Sequence, residues 1–244
     1  MPFAATADLQ ERLREEVIAG RAPETLLLLE HDPVITLGRS AQAAHVLAAP
    51  EELRRQGIAV HPVSRGGDVT YHGPGQLVGY PIVRLRGGVV GHMRAMADGL
   101  AAVLAGQGIV ARWDRQAPGL WVDANGASAG APAGAVALTA KLCAFGVHVR
   151  QRVTMHGFAL NVTTALDAFS LIVPCGLAGV SVTSMKQLRG KTPSLPSLAT
   201  LVAEAFARSF ALPFERVYPQ ALTSASPSAS LATNDDGYHA FVIS

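Results

Sequence analysis

The 244-residue sequence is short of cysteine: Cys143 and Cys175 are the only two. They set no disulfide framework, and the C-x-x-C spacing of redox or zinc motifs is absent. Charge is scarce too, at 16% of residues with a net of +2, and that balance gives no sign of a nucleic-acid partner. Arginine outnumbers lysine, and Arg39, Arg54, Arg55, Arg65, Arg84 and Arg86 crowd the first third, which leaves a local basic patch open. None of the eight histidines forms an H-x-x-x-H pair, so no metal site is expected. Met1 to Thr6 lacks the basic and apolar regions of a secretory leader, and a cytoplasmic location is the expectation. The longest uncharged apolar run, Ala168 to Met185, is interrupted by Pro174, Gly176 and Gly179. It reads as two buried strands joined by a turn rather than a membrane span, and no membrane partner is expected.

What is present is apolar. At 49% hydrophobic the chain can bury a real core. The length suits one domain over 1–218, followed by a Ser/Ala/Thr-rich, low-complexity tail over 219–244 that is expected to be poorly ordered. Helices are expected from Thr6 to Ala19, Pro50 to Gln56, Gly91 to Gln107 and from Ser197 onward. Strands are expected over Thr25–Glu30, Val34–Leu37, Ile58–Val63, Leu77–Leu85, Ile109–Trp113, Gly119–Asp123, Val136–Arg150 and Val153–Val162. Ala124 to Gly134 reads as a mobile hairpin tip. Many strands with few helices and no regular βα alternation predict an α+β domain, mixed β-sheets flanked by helices.

The densest feature is Ser64-Arg65-Gly66-Gly67-Asp68-Val69-Thr70-Tyr71-His72-Gly73-Pro74-Gly75-Gln76, read as a loop ahead of the strand from Leu77. Glycines beside charge allow positive φ and close approach of a ligand to bare backbone N–H groups. Two nucleotide readings fail on spacing. Gly73 to Gly79 has one residue too many for the dinucleotide fingerprint, and a strand follows it. Gly190-Lys191-Thr192 resembles the end of a phosphate loop, but the partner glycine would fall at Met185 and Pro193 follows.

Two further residues carry chemistry. Cys175 sits in the tight turn Pro174-Cys175-Gly176, and a thiol presented there becomes a good nucleophile once a nearby cation lowers its pKa. Lys141 is a candidate for that cation, since it interrupts the apolar stretch Ala135 to Val147. An edge-strand lysine and a core cysteine are the competing readings. His72 and His156 each precede a glycine. Each is a candidate to orient a carbonyl or move a proton, or a satisfied structural histidine.

Together these residues resemble the lipoyl(octanoyl) transferase family. The resemblance runs from Leu26 to about Met185. It includes Leu29 to Arg39, Arg65 to Pro81, Gly119-Leu120-Trp121-Val122, Lys141 to Gly146, His156 to Val162, Pro174-Cys175-Gly176 and Val182-Thr183-Ser184. It implies a fold like the catalytic domain of biotin and lipoate protein ligases. The implied activity moves an octanoyl group from octanoyl-acyl carrier protein to a specific lysine of lipoyl domains, without a cofactor. The implied acceptors are 2-oxoacid dehydrogenase E2 subunits and the glycine-cleavage H protein. On the same resemblance Cys175 forms an acyl-thioester and Lys141 activates it. The acyl-binding segments it implies are Arg65, Gly66, Gly67, Asp68, Val69, Thr70, Tyr71 and His72, then Ala144, Phe145 and Gly146, then Gly157, Phe158 and Ala159.

Some positions depart from the family pattern. Cys143 stands where alanine is usual, and a regular strand would put it on the face of Lys141. It is then either a core residue or a second thiol able to oxidise with Cys175. The stretch Thr164 to Asp167 is looser, and the loop Ala124 to Gly134 is longer. The alternatives to octanoyl transfer are an ATP-dependent lipoate or biotin ligase, a non-catalytic lipoyl-domain or carrier-binding protein, and a cysteine hydrolase.

Overall fold

The structure, a computed structural model, describes residues 1–123, 140–174, 181–212, 215–217 and 238–242, the last two segments by their backbone. Cys175, the loop 124–134 and residues 136–139 lie outside the described residues.

Among the described residues the strands form two sheets. The larger contains β1 (Thr25–Leu29), β5 (Gln76–Ile82), β6 (Arg112–Asp114), β7 (Gly119–Val122), β8 (Ala140–Arg150) and β9 (Val153–Asn161). It also takes in β10 (Ser181–Val182), β11 (Glu215–Val217) and β12 (Tyr238–Val242). The order is β11-β12-β1-β5-β9-β8-β7-β6, with β10 added parallel to β8. The smaller sheet is β3 (Ala59–Pro62), β2 (Val34–Leu37) and β4 (Val69–His72), in that order.

The large sheet is covered on both faces, which explains β1. Its sequence Thr-Leu-Leu-Leu-Leu is buried at every position. Leu26 and Leu28 join a core formed with α3 (Val89–Gly106) and α5 (Leu195–Ser209). Leu27 and Leu29 point the other way, toward Leu9, Leu13 and Val17 of α1 (Phe3–Ile18). A strand with cover on both sides needs no polar alternation. Each fully buried leucine contributes on the order of 2 kcal/mol. On α3, Met96, Leu100, Val103 and Leu104 are buried, and on α5 Leu198, Val202, Ala205 and Phe206. Both sets repeat every three to four residues, the spacing of one helical face. A third core lies under the small sheet, where Ile35, Val69 and Tyr71 meet Leu53 of α2 (Pro50–Arg55) and Phe169.

Several expectations need correction. The glycine-rich run is not all loop: Val69–His72 is β4, antiparallel to β2 with Thr36 opposite Thr70. Only the turn Gly73-Pro74-Gly75 separates it from β5. Gly75 has φ +81, and an added Cβ would meet the backbone of Thr163 and Thr164 at 2.7 Å, so glycine is required there. The run Ala168 to Met185 does not begin with a strand. Leu166–Leu171 is a 3-10 helix that sends Phe169 inward, and Ser181–Val182 is a two-residue strand. Short apolar runs fit either geometry until a partner selects one. Thr6 does not cap α1; it lies inside the helix and donates from Oγ1 to Pro2 O at 3.1 Å. The sheet also extends past residue 218: β12 pairs with β1 along its whole length.

Candidate active site

A cavity of about 410 Å³ opens between the two sheets and the first turn of α3. That volume is within the range of small-molecule sites. Arg65, Gly66, Gly67, Asp68, Val69, Thr70 and His72 line it, and so do Ala144, Phe145 and Gly146. His156, Gly157, Phe158, Ala159 and Lys141 line it as well, while Cys175 falls outside the described residues. Tyr71 is the exception. Its ring packs edge-on against Phe169 at 5.6 Å, in the core under the small sheet. Successive strand residues face opposite ways, so Thr70 and His72 turn to the cavity and Tyr71 away from it. Phe3, Thr36, Tyr80 and Met93 also line the cavity, and none of the four is assigned to the site from the sequence. They come from separate elements, and no short motif connects them.

Arg65 holds the glycine-rich wall in shape. Its Nη1 donates to Gly66 O at 3.1 Å and Asp68 O at 2.8 Å. Its Nη2 donates to Thr36 O at 2.8 Å and Thr36 Oγ1 at 2.9 Å. Backbone bonds complete the attachment: Gly38 N–H donates to Asp68 O, Arg39 N–H to Arg65 O and Ser40 N–H to Gly67 O. The approach is tight enough that a Cβ on Gly38 would lie 2.2 Å from Gly67 O.

His72 belongs to a buried polar chain. Gln76 Nε2 donates to Tyr71 O at 3.2 Å and to Asn161 Oδ1 at 2.9 Å. Gln76 Oε1 is therefore an acceptor, and His72 Nδ1–H donates to it at 2.7 Å. The Thr36 hydroxyl donates to His72 Nε2 at 3.4 Å. Burial, and next the neighbouring His31, push the His72 pKa down to about 3. His156 is pushed down to about 3 by burial and then by Arg65. Imidazoles this depressed are neutral at pH 7.

His156 has φ +62 in the middle of β9, a left-handed conformation that costs roughly 1–2 kcal/mol for a residue with a side chain. Its N–H turns to Gln10 Oε1 of α1 at 3.0 Å, and its Nε2 shares a hydrogen bond with Ser64 Oγ at 3.1 Å. Helix α1 is thus fastened directly to the cavity wall.

Lys141 is buried, with 4% of its surface exposed. Its Nζ donates to Pro118 O at 3.4 Å and sits 4.8 Å from the centre of the Trp121 ring. The expectation that Cys143 shares its face is corrected. The β7–β8 register shifts so that Leu120 opposes Cys143 but Trp121 opposes Lys141, leaving Leu142 as an extra residue. Such a bulge breaks strand alternation. Cys143 and Leu142 both enter the main core, whereas Lys141 lines the cavity. Burial raises the Cys143 pKa and keeps that thiol protonated.

The residues flanking Cys175 are fixed on both sides. Val173 N–H donates to His45 O at 2.8 Å. After the undescribed segment, Val182 pairs with Lys141 and Thr183 N–H donates to Lys141 O at 3.1 Å. His45 Nδ1 in turn bonds Asp68 Oδ2 at 2.5 Å. No cluster of His, Cys, Asp or Glu that could hold a metal occurs among the described residues. No helix among them is long and apolar enough to cross a membrane.

The architecture is that of a lipoate protein ligase catalytic domain. The bipartite lipoate protein ligase of Thermoplasma acidophilum superposes with a TM-score of 0.63 over 85% of this chain and 81% of that one, at 17% identity. The lipoyl protein ligase A/B catalytic domain family matches residues 2–207, and the chain belongs to that family. It is 44% identical to the octanoyltransferase of Chloroflexus aurantiacus, across 86% of this chain and 90% of the relative. It is 40% identical to the octanoyltransferase of Clavibacter sepedonicus, across 91% and 92%.

Proposed function

We propose that this protein transfers an octanoyl group from octanoyl-acyl carrier protein to the lysine of a lipoyl domain, through a thioester on Cys175. The acceptors are E2 subunits of 2-oxoacid dehydrogenases and the glycine-cleavage H protein, and the reaction takes place in the cytoplasm. The observation that carries this reading is the buried Lys141 ammonium in the wall of a mostly apolar cavity. A long acyl chain fits such a cavity, and the fixed cation stabilises a thiolate brought beside it.

Two half-reactions follow. The Cys175 thiolate attacks the thioester carbonyl, and the tetrahedral intermediate collapses by breaking the bond to the carrier sulfur. The carrier thiolate leaves and takes up a proton. The neutral amine of the acceptor lysine then attacks the acyl-enzyme. The C–S bond breaks, the amide forms, the Cys175 thiolate returns, and the amine gives up its proton. Thiol-for-thioester exchange is nearly isoenergetic and aminolysis runs downhill, so no nucleotide is needed. On this reading Lys141, with His72 as the second candidate, carries the protons.

The test uses octanoyl-carrier protein, purified lipoyl domain and no ATP. Acceptor mass increases by one octanoyl group on the proposed reading. Transfer that requires ATP assigns the chain to the ligase chemistry instead.

A further inference from the structure

Trp121 is bound into the site more closely than a core tryptophan needs to be. Its Nε1–H donates to Ala117 O at 2.9 Å, which fixes the rotation of the indole. The ring is buried at 7% exposure and presents its face to Lys141 Nζ at 4.8 Å. Ala117 and Pro118 line the cavity, and Pro118 O accepts from the same Nζ. The pairing depends on register. Without the extra residue at Leu142, Trp121 would oppose Leu142, and its ring would not meet the ammonium. Gly119 clears the path, because a Cβ there would lie 3.3 Å from Lys141 Cε and 2.3 Å from Cys143 O.

We propose that Trp121 is a positioning residue for Lys141: its indole face, fixed through Ala117, forms the floor on which the ammonium rests. The proposal rests on the reading that Lys141 activates Cys175. An aromatic face attracts the ammonium without occupying any of its three N–H donors. A hydrogen-bonding partner in the same place would occupy at least one of them.

The experiment follows iodoacetamide alkylation of Cys175 across pH, with the adduct localised by peptide mass spectrometry. It compares wild type, Trp121→Leu, Trp121→Phe, Lys141→Ala and the double variant Lys141→Ala/Trp121→Phe. Trp121→Leu is expected to lose about tenfold in rate at pH 7 and to move its profile toward that of Lys141→Ala. Trp121→Phe retains a ring face and loses about threefold. In the Lys141→Ala background the Phe substitution is expected to have no further effect, because its influence runs through the lysine. The single and double Phe variants decide the matter if Trp121→Leu fails to fold. An equal Phe effect with and without Lys141, or wild-type profiles for both single Trp variants, overturns the proposal. Wild-type alkylation in Lys141→Ala instead overturns the activating role of Lys141, so the two failures are separate.

Discussion

Arg65 Nη2 donates to both the backbone carbonyl and the hydroxyl of Thr36, at 2.8 and 2.9 Å. One guanidinium edge thereby joins β2 to the glycine-rich wall, while Nη1 gathers the carbonyls of Gly66 and Asp68. Arginine is suited to this because its planar fork reaches several acceptors at once. Arg65→Ala strands buried acceptors and is expected to cost about 3 kcal/mol in urea unfolding. Arg65→Lys is expected to recover only part of that, since a single ammonium cannot span the same set.

Gly38 tests the wall from the other side. Gly38→Ala would place a methyl 2.2 Å from Gly67 O and 2.7 Å from Arg65 Nη1. The wall has to move into or away from the cavity to make room. Acyl-transfer kcat/KM is expected to fall at least tenfold or so, since small displacements of a positioned group are costly. The check is steady-state transfer kinetics beside a thermal melt.

Acid stability follows from the buried imidazoles. Burial lowers His72 and His156 to about 3, and His31 and His92 to about 4. Below the ordinary value of 6.5 the unfolded chain takes up protons that the folded one refuses. Stability present at pH 7 is therefore lost as pH falls from about 6.5 toward 3. The loss is on the order of 2 kcal/mol per histidine by pH 5. His92 isolates the effect, because this α3 residue packs against Phe210 at the end of α5 and does not itself line the cavity, although Val89 and Met93 beside it do. Its Nε2 has no hydrogen-bond partner among the described residues. His92→Leu is expected to flatten the fall in Tm between pH 7 and pH 5 while transfer at pH 7 stays unchanged.

Cys143 is expected to be inert. It is 1% exposed, in the core between α3, α5 and the large sheet, with its thiol held protonated. The folded protein is expected to take up no alkylating reagent at Cys143 at pH 7. Cys143→Ala is expected to keep transfer within about twofold and to cost about 1 kcal/mol of stability. Rapid native labelling at Cys143 contradicts this placement.

The α+β architecture was legible, and so were most of the residues lining the cavity. Val34–Leu37 is the strand expected there, and α5 buries the expected Leu198, Val202, Ala205 and Phe206 but leaves Leu201, expected beside them, exposed. Long-range consequences were not legible. Trp121 stands in the quoted Gly119–Val122 motif, yet its meeting with Lys141 depends on a bulge that only the paired strands reveal. Strand β12 lies beyond a low-complexity stretch that hid a pairing partner for β1 far back in the chain. Helix α4 (Met185–Arg189) was missed although its signal is local: Ser184 caps it by accepting from Gln187 N–H, the S-x-x-Q pattern of a capping box. Ser194, not Ser197, caps α5 in the same way.

The central claim is that Cys175 carries the acyl group between donor and acceptor. Intact-protein mass spectrometry after mixing with octanoyl-carrier protein, without ATP and without acceptor, tests it most directly. The account predicts one octanoyl adduct that hydroxylamine removes, that passes to added lipoyl domain, and that is absent in Cys175→Ser. A wild-type protein that stays unmodified while it octanoylates the lipoyl domain from the same donor would contradict it.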